Sequence, residues 1–130
     1  MKRFVMAVLI ALGVTGCTVN GSINEMPGVI SNYFPYGLTL EQAEGSITAG
    51  LLKMRWVPTD VRNGVIVAYF GRGDGVMNVQ YAADGYSIEP VNPWGGRLAM
   101  QDDMADLDYY IQKYSRKAAI ESAKIKMRGQ

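Results

Sequence analysis

The sequence predicts an α+β fold: a helix, a four-stranded antiparallel meander and a second helix, packed as a two-layer sandwich. Three observations carry that prediction. Apolar residues recur at spacings of three and four over 40–54 and again over 104–118. Short β-rich runs fill the interval between them. Asn63-Gly64 and Asp84-Gly85 cut those runs where hairpins turn.

The first helix opens at Thr39-Leu40-Glu41-Gln42, a capping box in which a hydroxyl accepts from the third helical amide and Gln42 reaches back. Leu40, Ala43, Ile47, Leu51 and Met54 then share one face. Glu41 and Glu44 suit the positive end of the helix dipole. Gly45, Ala49 and Gly50 weaken the helix intrinsically and let it lie close against a sheet.

Trp56 to Asp60 reads as a brief first strand, with Pro58 marking an edge. Val65 to Gly71 follows the Asn63-Gly64 turn and is apolar on both alternating sets, the pattern of a strand covered on both faces or of one facing another molecule. After the turn Arg72-Gly73-Asp74-Gly75, Val76 to Ala82 alternates more cleanly. Met77, Val79 and Tyr81 fall on one side, Asn78 and Gln80 on the other. Asp84-Gly85 leads into the last strand, Tyr86 to Val91. A loop, Asn92-Pro93-Trp94-Gly95-Gly96, precedes a long helix capped by Asp102 or Asp103, with Met104, Leu107, Ile111, Tyr114 and Ala118 as its apolar stripe. Beyond Ala118 the stripe weakens, so the last turns project into solvent or fray.

Upstream of this domain, residues 18–37 are broken by Asn, Gly, Ser and Pro and hold no period, which predicts a tether of roughly 25 Å reach if it behaves as a coil. Tyr33, Phe34 and Tyr36 stand out in it. They either cover an edge of the domain or touch lipid headgroups or a partner.

The N-terminus has two cations, Lys2 and Arg3, an apolar run from Phe4 to Leu12, and small residues before the only cysteine, Cys17. That is a secretory signal pattern, and the run is too short to span a bilayer, which takes about 20 apolar residues. Val14-Thr15-Gly16-Cys17 resembles the lipobox of bacterial lipoproteins. The resemblance implies cleavage between Gly16 and Cys17, lipid (diacylglycerol, with a further acyl chain such as palmitate) on Cys17, and a domain tethered to a membrane. Thr18 stands where an aspartate would signal inner-membrane retention, so the expected address is the periplasmic face of the outer membrane. The domains expected are therefore a signal peptide at 1–16, a lipid-anchored tether at 17–38 and one α+β domain at 39–130.

Loss of Lys2 and Arg3 with the leader leaves eleven of the thirteen basic residues against twelve acidic ones, which argues against nucleic-acid binding. There is no histidine, so the commonest general base and metal ligand is missing. With Cys17 consumed by lipid, thiol chemistry and zinc–thiolate sites go too. The expectation is a chain that is no enzyme and holds no metal and no cofactor.

Three motifs invite functional readings. Gly71-Arg72-Gly73-Asp74-Gly75-Val76 fails as a dinucleotide fingerprint, because its sixth residue is valine and it joins two strands. It lacks the Lys-Ser/Thr pair of a phosphate loop, and although Arg72-Gly73-Asp74 matches an integrin-type tripeptide, glycine and aspartate are what tight turns use. Asp102, Asp103, Asp106 and Asp108 lack calcium-loop spacing and read as capping and dipole complementarity. The chain's end is basic through Lys113, Arg116, Lys117, Lys124, Lys126 and Arg128, which suits a helix C-terminus or, at Lys117, Lys124 and Arg128, contact with anionic lipid.

Ile47 to Trp56, Gly64 to Ala68, Val79-Gln80-Tyr81, Tyr86-Ser87-Ile88 and Tyr110 to Tyr114 resemble segments of small uncharacterised bacterial lipoproteins, over most of residues 40 to 115. This chain has Arg55 where those proteins commonly have glycine. The resemblance implies the same helix–four-strand–helix domain and an envelope setting. Gly37 to Ala43 is similar to a helix opening in small outer-membrane barrel-assembly lipoproteins, which implies an accessory role in that assembly.

The function expected is a non-catalytic interaction or structural module of the bacterial envelope, binding an envelope protein or a second copy through its sheet surface or its aromatics Trp56, Tyr69, Trp94, Tyr33, Phe34 and Tyr36. A carrier or sensor of a small apolar ligand held between helices and sheet is the alternative. An exposed sheet face of Tyr and Val favours the first; a closed cavity favours the second.

Overall fold

The computed structural model describes residues 26–70, 74–95 and 97–129. The order of elements is β1 (Ile30–Tyr33), α1 (Leu40–Lys53), β2 (Trp56–Arg62), β3 (Val65–Phe70), β4 (Val76–Ala82), β5 (Gly85–Asn92) and α2 (Arg97–Arg128). The expected meander of β2 to β5 is present and wholly antiparallel, but the sheet has five strands in the order β1-β5-β4-β3-β2. The fold is α+β.

The fifth strand corrects the sequence reading of the tether. Ile30 to Tyr33 pairs with β5 from Ile30↔Ile88 to Tyr33↔Gly85, so the segment expected as linker through residue 38 joins the sheet. Phe34 and Leu38 enter the core at 7% and 8% exposure. Gly85 permits this approach: a Cβ there would come within 2.8 Å of the Asn32 carbonyl oxygen.

α1 begins as its capping box dictates. The Gln42 amide donates to Thr39 Oγ1 and the Thr39 amide to Gln42 Oε1, both at 3.0 Å. The buried face runs through Ala43, Ser46, Ile47, Gly50 and Leu51, while Leu40, expected on that face, is exposed. Gly50 makes the close approach foreseen for a small residue, yet to α2 and not to the sheet. A Cβ there would lie 3.2 Å from Leu107 Cδ1 and 3.4 Å from Tyr110 Cβ. α1 is closed just past its C-cap Met54 by Arg55, which takes φ 68 and donates its amide to the Leu52 carbonyl at 3.0 Å, a Schellman-type closure. Arg62 pairs with Val65 across Asn63 (φ 54) and Gly64 (φ 78), the left-handed pair of a type I′ turn.

α2 starts at Arg97, ahead of the cap expected at Asp102 or Asp103, and runs 32 residues, about 48 Å at 1.5 Å per residue. Met100, Met104, Leu107 and Ile111 are fully buried and set its inner stripe. Beyond Ala119 it runs on as helix with most side chains exposed. Both helices lie on one side of the sheet, over Trp56, Ile66, Ala68, Met77, Val79, Tyr86 and Ile88. Among the described residues, no helix is long and apolar enough to cross a membrane.

Candidate functional site

Strand alternation divides the sheet into a covered face and an open one. On β3, Ile66 and Ala68 are buried beneath the helices, so Val65, Val67 and Tyr69 point the other way. The register carries this face outward from β3. Val57 pairs with Tyr69, Tyr69 with Val76, Val67 with Asn78, and Val65 with Gln80. Val57 is 47% exposed and Tyr69 46%.

The charges on this face lie around it. Asp60 pairs with Val67 and Arg62 with Val65 on the edge strand β2, and the two form an ion pair at 3.1 Å. Glu89 pairs with Asn78 on the other flank. The middle, made of Val65, Val67, Tyr69, Val76, Asn78 and Gln80, is uncharged. A centre without charge, carrying an aromatic ring and ringed by polar groups, is how a protein–protein interface is built.

The aromatic residues expected at an interaction surface divide three ways. Phe34 is core, 5.1 Å from the Tyr86 ring, and Trp56 is fully buried; neither is free to meet a partner. Trp94 is half-buried and occupied: it stacks on Phe70 at 4.4 Å and donates its indole N–H to Asp103 Oδ2 at 2.9 Å. Tyr33, Tyr36 and Tyr69 are exposed.

The acidic cluster is also reassigned. Asp102 and Asp103 sit inside α2 and do not cap it. Asp103 Oδ2 accepts from Trp56 Nε1 as well as from Trp94 Nε1, tying β2 and the β5–α2 loop to the helix. Asp108 accepts the Tyr86 hydroxyl and the Asn32 side-chain amide, the latter at 3.3 Å. Gln112 donates to the Tyr86 hydroxyl and to the Tyr33 carbonyl, each at 3.0 Å. Burial, then the bond to Asp108, push the Tyr86 phenol far above its ordinary value. A tyrosine held so firmly neutral is a structural donor, and Asp108 and Gln112 use it to hold β1 in place.

The glycine-rich turn lies partly outside the described residues, at 71–73. Its flanks close as a hairpin does, with the Phe70 amide donating to the Gly75 carbonyl at 2.9 Å. Gly75 lies against both tryptophans, where a Cβ would meet Trp56 Cη2 at 2.9 Å and Trp94 Cβ at 3.1 Å. Of the basic residues, Lys117, Lys124 and Arg128 are exposed on α2. Gly16 and Cys17, the expected cleavage and lipidation site, lie outside the described residues.

Comparison with protein-family profiles, with curated proteins and with solved structures gives no match.

Proposed function

We propose that this chain is a non-catalytic lipoprotein of the bacterial cell envelope, anchored by lipid on Cys17 at the periplasmic face of the outer membrane, whose domain docks a protein partner on its open sheet face. The leader and lipobox-like segment support the anchor, and the likeness to small bacterial lipoproteins supports the setting. One observation carries the docking. β3 is apolar on both faces, yet the helices cover only the face of Ile66 and Ala68, leaving Val65, Val67 and Tyr69 with Val57 and Val76 beside them. A solvated antiparallel face ordinarily alternates to polar residues. Retention of valine and tyrosine there is explained by a partner that buries them.

Crosslinking in intact envelopes followed by affinity capture of the full chain tests this. Capture of a defined partner is expected from the wild-type chain, with at least a tenfold loss in Val67→Asp under conditions where circular dichroism shows that variant folded. Equal capture by both, or none by the wild type, contradicts the proposal.

A further inference from the structure

The outer side of α2, opposite its buried stripe, has a composition that the helix dipole does not account for. At about 100° per residue, Lys113, Arg116, Lys117, Ile120, Lys124 and Met127 fall on one arc facing away from Met104, Leu107 and Ile111. Tyr109, 62% exposed, begins the same arc, and Ile120 and Met127 are 46% and 76% exposed among the cations. From Lys113 to the end of the chain there are six basic residues and one acid, Glu121. The dipole's preference for cations falls off within the last turn, where Lys126 and Arg128 stand. Lys113, Arg116 and Lys117 lie turns earlier. Among the described residues the one ion pair is Arg62–Asp60, so no cation of this arc is held in an ion pair with a described carboxylate; the exposed Asp102 and Asp106 lie on the same side of the helix but N-terminal to the basic stretch.

We propose that this arc of α2 rests on an anionic phospholipid bilayer. Cations interleaved with an aromatic ring and two aliphatic side chains match such a surface on both counts. The ammonium and guanidinium groups meet lipid phosphates, while Ile120, Met127 and Tyr109 reach the headgroup–acyl boundary. The inference rests on the membrane-anchored reading and adds an orientation to it. Because the helices form one layer and the open sheet face belongs to the opposite side of the other, seating α2 on lipid turns Val57, Val67 and Tyr69 away from the membrane, toward a partner.

The test uses the full chain carrying Cys17→Ser, so that no acyl chain contributes, sedimented with phosphatidylcholine vesicles with and without phosphatidylglycerol. Binding is expected to be tighter on the anionic vesicles, to fall about 30-fold in Lys117→Glu with Lys124→Glu, and to approach the neutral-vesicle level near 1 M salt. The leader is common to both proteins, so their difference reads α2 alone, and the salt titration needs no variant. Equal binding to both vesicle types, salt-independent binding, an unchanged double variant, or retention on RNA without retention on vesicles would overturn the inference. Sheet-face capture depends on other residues, so the two readings fail separately.

Discussion

Trp56 and Asp103 stand 47 residues apart in sequence, and the indole N–H of the first donates to Oδ2 of the second at 3.0 Å. The same oxygen takes the Trp94 indole at 2.9 Å, so one carboxylate on α2 holds both tryptophans of the chain. Asp103→Ala leaves a fully buried indole N–H without its acceptor, at a cost of about 2–3 kcal/mol. Asp103→Asn keeps an acceptor and costs about 1 kcal/mol less than that. Urea unfolding followed by tryptophan fluorescence checks both, and a red-shifted native emission is expected for Asp103→Ala alone.

The left-handed backbone at Arg55 gives a second prediction. An L-residue at φ 68 bears strain that glycine does not. Arg55→Gly is expected to stabilise the domain by about 0.5–1 kcal/mol, the relief of strain exceeding the extra entropy glycine carries in the unfolded chain. A higher urea midpoint with an unchanged slope is the expected reading, and Arg55→Ala should show no such gain.

Alkaline pH should destabilise the protein through two phenols. Burial and the hydrogen bond to Glu44, 2.9 Å from the Tyr81 hydroxyl, raise the Tyr81 pKa from 10.0 to about 12, and Tyr86 is pushed higher still. The folded state therefore holds these protons more tightly than the unfolded chain. The Tyr81 contribution is whole below pH 10 and is lost as pH rises from about 10 through about 12, and the loss from Tyr86 continues above that. Urea midpoints should fall over that window, and less steeply in Tyr81→Phe. An identical slope in that variant would count against the Tyr81–Glu44 bond as a source.

Local signals in the sequence placed the elements whose causes are local. Thr39 and Gln42 announce a helix start, Asn63-Gly64 a hairpin, and the alternation of Met77 and Val79 with Asn78 and Gln80 a strand. β1 was not legible because Ile30-Ser31-Asn32-Tyr33 has only four residues and no clear alternation. What holds it lies far along the chain, in Asp108, Gln112 and the absent side chain of Gly85. The acids of α2 misled for a related reason. Aspartate before an apolar stripe usually caps, and only the fold brings Trp56 and Trp94 to Asp103. Met100, four residues before Met104 and fully buried, was a usable sign that the helix starts earlier. The open sheet face was half legible: β3's apolar character on both sides was plain in sequence, but which side the helices cover required the structure.

In the proposed arrangement the open sheet face meets a protein partner and the helix layer does not. Site-specific photo-crosslinking in intact envelopes tests it most directly, with a benzophenone side chain replacing Tyr69 on the sheet in one protein and Leu98, 69% exposed on α2, in another. One discrete protein adduct is expected from position 69, lost when Val67→Asp is added, and none of that mass from position 98; an adduct of twice the chain's own mass identifies the partner as a second copy. No adduct from position 69, or the same adduct from both positions, would contradict it.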